Sequence, residues 1–227
     1  FEGAQISSGQ RAAAGAIERV RIDAESLEPR FRVIGSELWS DETDFSAQTA
    51  KFGVTGICGS GIIEVVAEMF LAGIITVDGV IDGALAARSK RVVADGRTFS
   101  YVLYQPDVTD ILGAERKAPI TVTQNDVRQI QLAKAALYAG VKLLMDKIGI
   151  ERIDRIRLAG AFGSHINVKH AMVLGLIPDC ALDQVSSAGN AAGTGARIAL
   201  LNTKSRNTIE SLVTNIEKIE TAMEPKF

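Results

Sequence analysis

Residues 153–167 read IDRIRLAGAFGSHIN. A β-branched run rises out of charged sequence and predicts a strand over Arg155–Ala159. It stops on Gly160-Ala161-Phe162-Gly163-Ser164, where small residues dominate. Glycine at a strand's end lets a ligand approach the main chain, and free backbone N–H groups there can face a phosphate or an adenine ring. In open α/β sheets, ligands sit beyond the carboxyl ends of the strands. The other reading is a tight strand-to-helix turn whose small residues serve packing.

Working outward, Asn167 is placed to cap a short helix through Leu174, closed by Gly175 and Pro178. A second small-residue run, Ser186-Ser187-Ala188-Gly189-Asn190-Ala191-Ala192-Gly193-Thr194-Gly195-Ala196, leads into a predicted helix over Arg197–Asn202. Gly189, Asn190, Gly193, Gly195 and Ala196 have spacings that let two helices pack closely, and such a contact can act as a hinge. A last helix is predicted over Asn207–Thr221, with Ile209, Leu212, Ile216 and Ile219 on one face.

Upstream, the clearest helix follows Ile120-Thr121-Val122-Thr123. Thr123 and Asp126 have capping-box spacing, and Val127, Ile130, Leu137, Val141, Leu144 and Ile148 form the expected buried stripe. Lys90–Ala94 and Thr98–Tyr104 read as a hairpin turning at Asp95-Gly96. In KFGVTGICGSGIIEVVAEMFLAGII the glycines end at Gly61. Ser60 can cap a helix whose face is Ile62, Val65, Val66, Met69 and Phe70, with Gly73 as its stop. Ala16–Ile22 and Phe31–Ile34 alternate as strands, and 36–50 reads as loop. Strands first and alternating helix and strand afterwards make the chain α/β or α+β.

The composition excludes several functions. The 227 residues are 47% hydrophobic and 23% charged with a net charge of −2, so nothing draws the chain to nucleic acid or an anionic membrane. Aromatic content of 5% argues against base-stacking platforms. The longest apolar stretch, Val65–Val77, is broken by Glu68 and Gly73 and is too short to span a bilayer. Two cysteines, Cys58 and Cys180, cannot supply the four thiolates of an iron–sulfur cluster. They read as reduced thiols of a cytoplasmic protein.

The run Gly56-Ile57-Cys58-Gly59-Ser60-Gly61 is neither a Walker loop nor GxGxxG. It stays open between a plain cap and an anion contact at a helix N-terminus. Cys58 there is either a thiol of lowered pKa or, the preferred reading, an inert packed one. His165 and His170 lack metal-site spacing, Asp107, Asp110 and Glu115 read as a solvated loop, and no catalytic residue stands out. Glycine-rich turns suited to a nucleotide, without catalytic groups, fit one half of a two-domain site.

Five stretches in order, FEGAQISSGQRAAAGAIERV, GICGSGIIEVVAEMFLAGII, ITVTQNDVRQIQLAKAALYAGVKLLM, LAGAFGSHINVKHAMVLGLIPD and GNAAGTGARIALL, resemble the carboxy-terminal part of the reductive activators of corrinoid proteins. These are ferredoxin-like iron–sulfur proteins with an ATPase domain of the acetate and sugar kinase, heat-shock chaperone and actin superfamily. The resemblance implies an RNase H-like, actin-like ATPase lobe with a β-rich amino-terminal part and an added hairpin. All of 1–227 would be one lobe, with an insertion within 36–120.

By the same resemblance, Gly160, Ala161, Phe162, Gly163 and Ser164 resemble the adenosine motif, and Gly189–Ala196 the second connecting motif between lobes. Gln131 and Lys134 would line the adenine pocket, with an exposed polar helix face as the alternative. Gly59 and Ser60 would be further nucleotide contacts.

The implied cofactors are ATP and Mg2+, with a 2Fe-2S cluster in a domain absent from this chain. The implied function is the nucleotide-binding half of an ATPase that drives electron transfer onto cobalt(II) of a corrinoid protein. A kinase-like phosphotransferase lobe and a non-catalytic dimerisation module are the alternatives, and a homodimer is a further expectation. The chain starts Phe1-Glu2-Gly3 without Met and is expected to be a fragment, inactive alone.

Overall fold

Strand β1 (Ala16–Ile22) forms where expected, with Ala16, Ile17 and Val20 completely buried; the register shift between Ile17 and Arg19 breaks the simple alternation. The computed structural model describes residues 5–106, 118–160, 162–219 and 224. Asp107, Asp110, Glu115, Ala161 and Thr221 lie outside the described residues, as does the side chain of Phe162. The chain divides into two compact units, 1–135 and 136–227.

In the first unit, β1 pairs antiparallel with β2 (Pro29–Val33), Val20 opposite Phe31. Helix α1 (Phe45–Thr49) falls in the stretch expected to be loop. One turn carries no readable periodicity. It is held by burial of Phe45, whose ring meets that of Phe31 edge-on at 5.9 Å between centroids. On its other edge β1 pairs parallel with β3 (Gly56–Ile57), in the order β2-β1-β3.

Helix α2 (Gly59–Leu71) begins before Gly61, with Cys58 at its N-cap instead of the expected Ser60. Cys58 is extended, its N–H bonded to the Ile17 carbonyl at 3.1 Å and its carbonyl accepting the Ile62 N–H at 3.0 Å, and Gly61 lets α2 press on β1: a Cβ there would lie 2.1 Å from the Ile17 carbonyl oxygen. Ile62, Val65, Val66 and Met69 are buried, each contributing about 1.5–3 kcal/mol, while Phe70 is exposed.

Two carboxylates of α2 complete the edge of β1. The register shifts between Ile17 and Arg19, and β3 is only two residues long. The Val20 N–H then donates to Glu64 Oε2 at 3.0 Å, and the Ile22 N–H to Glu68 Oε2 at 3.0 Å. Glu64 is fully buried and also receives Arg19 at 3.0 Å and Arg21 at 2.8 Å.

The expected hairpin is β4 (Val92–Asp95) and β5 (Thr98–Tyr104), with β6 (Ile120–Thr123) on the other side of β5. Helix α3 (Gln124–Ile148) starts on the expected capping box. The Asp126 N–H donates to Thr123 Oγ1 at 3.2 Å and the Thr123 N–H to Asp126 Oδ2 at 2.8 Å. Of the expected stripe Val127 and Ile130 are buried and Val141 is half-buried, while Leu143, which the stripe did not include, is buried. Leu137, Leu144 and Ile148 are each more than half exposed, against expectation.

In the second unit β7 (Ile156–Ala159) is the strand expected from the sequence, and α4 (Val168–Val173) is capped by Asn167, whose Oδ1 accepts the His170 N–H at 3.2 Å. Strand β8 (Val185–Gly189) was not expected. It lies parallel to β7, and its Ser-Ser-Ala-Gly composition carries no strand signal of its own. Helix α5 (Ala191–Leu201) begins at Ala191 instead of Arg197, and α6 (Thr203–Val213) begins earlier and ends sooner than Asn207–Thr221. Asn202 accounts for the early start: it is extended, and its side chain accepts the Ser205 N–H at 3.0 Å. Ile216 lies past the end of α6 and is exposed.

Candidate functional site

The parallel strands β7 and β8 end side by side on two glycines. Gly160 has φ +105° and Gly189 φ +62°, in the region that L side chains rarely adopt. The Gly160 N–H donates to the Gly189 carbonyl at 2.8 Å, so the strand ends are tied where each chain turns away.

The space around these glycines separates the two readings of the small residues. A Cβ on Gly160 or Gly189 would meet no atom within 4 Å, nor would one on Gly195 in α5. These positions are kept bare for no packing reason within the described residues. Gly163 differs, because its Cβ would lie 3.1 Å from Leu158 Cβ. Gly193 would meet the Asn190 side-chain nitrogen at 2.8 Å, which ties its smallness to the cap of α5. Asn190 Oδ1 accepts the Gly193 N–H at 2.9 Å.

Ser164 ends a 3-10 turn over Phe162–Ser164. Its hydroxyl donates to the Gly160 carbonyl at 3.3 Å and lies 3.1 Å from the hydroxyl of Ser187. Ser187 in turn accepts the Gly189 N–H at 3.1 Å. Ser187 belongs to this cluster and was missed from the sequence; β8 was the missing information, since only its pairing sets Ser187 opposite Leu158. The described residues of the cluster are neutral: backbone, two hydroxyls and an amide. Such a set holds a ligand's face and orients it, and moves no proton at neutral pH.

Other expected contacts sit in the first unit. Ser60 is buried, its Oγ 3.2 Å from the equally buried Cys58 Sγ, at the end of α2 that presses on β1. Gln131 donates from Nε2 to the Asp78 carbonyl at 3.3 Å, and Gln124 bridges the same loop, accepting the Ile81 N–H at 2.9 Å and donating to Gly79 O at 2.7 Å. Lys134 is exposed. Ala196 lies exposed on α5, beside Gly195. Among the described residues no three His, Cys, Asp or Glu side chains come together as a metal site.

Strand ends bare of side chains, followed by a capped helix, suit a mixed α/β domain that can hold a ligand against its backbone. A family model described as the C-terminal domain of RACo, the ASKHA domain, matches residues 1–227. The chain belongs to this family.

It is 36% identical over 233 residues to the corrinoid activation enzyme RamQ of Eubacterium limosum, covering 100% of this chain and 36% of that protein. It also matches the solved structure of a reductive activator for corrinoid, iron–sulfur protein, with a TM-score of 0.79 and 31% identity. That match covers 100% of this chain and 33% of the other. The chain thus spans about a third of the length of the relatives it matches.

Proposed function

We propose that this chain is the nucleotide-binding half of an ATPase domain in an iron–sulfur protein that reductively activates a corrinoid protein. The observation that carries the reading is the pair of left-handed glycines, Gly160 and Gly189, tied by one hydrogen bond and open to solvent on the Cβ side. An adenosine moiety laid on them touches backbone alone, which a residue with any Cβ at those positions would hinder. Gly163, Ser164 and Asn190 frame the platform, and Ala161 and Phe162 are added to it on the family resemblance alone. Gly193, Gly195 and Ala196 let α5 yield as domains close. Gln131, Lys134, Gly59 and Ser60, which the family resemblance implies as further nucleotide contacts, belong to the first unit and are proposed only on that resemblance.

The iron–sulfur cluster does not fit this chain's described residues. Cys58 is buried against Ser60, and Cys180 donates to the Asp154 carbonyl at 3.5 Å, which leaves two separated thiols where a cluster needs four. The cluster is assigned to another part of the parent protein, and Mg2+ is expected to arrive with ATP. The chemistry at the corrinoid would be the transfer of one electron from the reduced iron–sulfur cluster, which is oxidised, to cobalt(II), which becomes cobalt(I), with ATP hydrolysis driving the uphill transfer. The relatives named for corrinoid activation support a corrinoid protein as partner. No helix among the described residues is long and apolar enough to cross a membrane, and a cytoplasmic location completes the proposal.

The test is a titration of ADP and ATP followed by backbone amide shifts. Shifts clustering on Gly160–Ser164 and Gly189–Gly195 are expected. Absence of binding by the intact protein at millimolar nucleotide sinks the reading.

A further inference from the structure

We infer that Ser187 is a positioning residue of the nucleotide platform, acting through Ser164; this rests on the nucleotide reading of β7 and β8. The β7–β8 ladder shifts register at its end: Leu158 faces Ser187, yet Ala159 faces Gly189, so Ala188 is an extra residue. Such a bulge takes one residue out of the ladder and turns the strand. The Gly189 N–H then needs a partner outside the ladder, and Ser187 Oγ supplies it at 3.1 Å.

The same hydroxyl meets Ser164 Oγ at 3.1 Å, and Ser164 holds the Gly160 carbonyl at 3.3 Å. The two glycines are therefore joined twice. One link is direct, from the Gly160 N–H to the Gly189 carbonyl, and the other is relayed through the two serines. A single hydrogen bond leaves two peptide planes free to swivel about it; the relay orients the Gly189 N–H and the Gly160 carbonyl as well. Both serines are exposed, so folding gains little from the pair. Its effect falls on the shape of the bare surface between the strand ends, which is the surface a planar ring must match.

The test uses the intact protein with ADP as probe and four variants: Ser187→Ala, Ser164→Ala, the double variant, and Ser187→Thr. Each alanine variant is expected to weaken ADP binding about three- to tenfold. The double variant should be no weaker than either single one, because both remove the same relay. Ser187→Thr keeps the hydroxyl and restores affinity. The unfolding midpoint without nucleotide should stay within about 2 °C of wild type.

Wild-type affinity in both single variants overturns the inference, as do losses that multiply in the double variant. A loss that follows a large fall in the nucleotide-free unfolding midpoint, or that Ser187→Thr shares, marks a packing role and overturns it too. Failure of the wild-type protein to bind ADP fails the nucleotide reading itself, and this inference with it.

Discussion

Gly160 and Gly189 sit on neighbouring parallel strands, both in the left-handed region, with the N–H of one bonded at 2.8 Å to the carbonyl of the other. Replacing either by Ala puts a side chain into a strained backbone at a cost of about 1–2 kcal/mol. It also raises a methyl group from the open surface. Gly160→Ala and Gly189→Ala are expected to lose ADP affinity by more than their stability loss explains. Gly96→Ala is the comparison, since Gly96 is equally left-handed and open on its Cβ side but lies in the β4–β5 turn, outside the platform. Calorimetric titration beside thermal unfolding separates the two effects.

Glu64 is buried beneath Arg19 and Arg21 and holds the Val20 N–H. Glu64→Ala should destabilise the first unit by about 3–5 kcal/mol, because the strand edge and two guanidinium groups lose their anion together. Glu64→Gln keeps an acceptor for Val20 and is expected to cost less. Urea midpoints of the two variants check the order, and an equal loss in both would show that the charge matters little.

Gly61 and Gly140 are both helical glycines, and opposite effects are expected from the same substitution. A Cβ on Gly61 would stand 2.1 Å from the Ile17 carbonyl oxygen, so Gly61→Ala should push α2 off β1 at a cost of about 1–3 kcal/mol. A Cβ on Gly140 in α3 would meet nothing within 4 Å, so Gly140→Ala should gain about 1 kcal/mol of helix propensity. Denaturant unfolding of both variants settles the signs.

Tyr101 is fully buried and donates its hydroxyl to the Leu27 carbonyl at 2.9 Å. Burial, helped by the nearby Glu28 and opposed by Arg91, pushes its pKa well above the usual tyrosine value. In alkali the unfolded chain releases this proton first and the folded one retains it, so unfolding is favoured as pH rises. The stability that Tyr101 contributes is present below about pH 10 and lost progressively above it. Tyr101→Phe should cost about 1 kcal/mol at neutral pH and flatten the alkaline loss, as read from urea midpoints across pH.

What the sequence determined by itself was local. β1, the β4–β5 hairpin, the Thr123–Asp126 capping box, β7 and the Asn167 cap were all legible, because each is encoded within a few residues by alternation, turn chemistry or cap spacing. The glycines of the platform were legible too, as residues that leave the backbone bare.

Only the tertiary structure decided which glycines serve packing. Gly61 lies against Ile17, forty-four positions away by its own partner's numbering, while Gly160 and Gly189 face open space; a glycine looks the same in sequence in either case. β8 and Ser187 were equally hidden. A small-residue strand gains its identity from the ladder it joins, and the parallel partner that creates this one lies a whole crossover away in the chain.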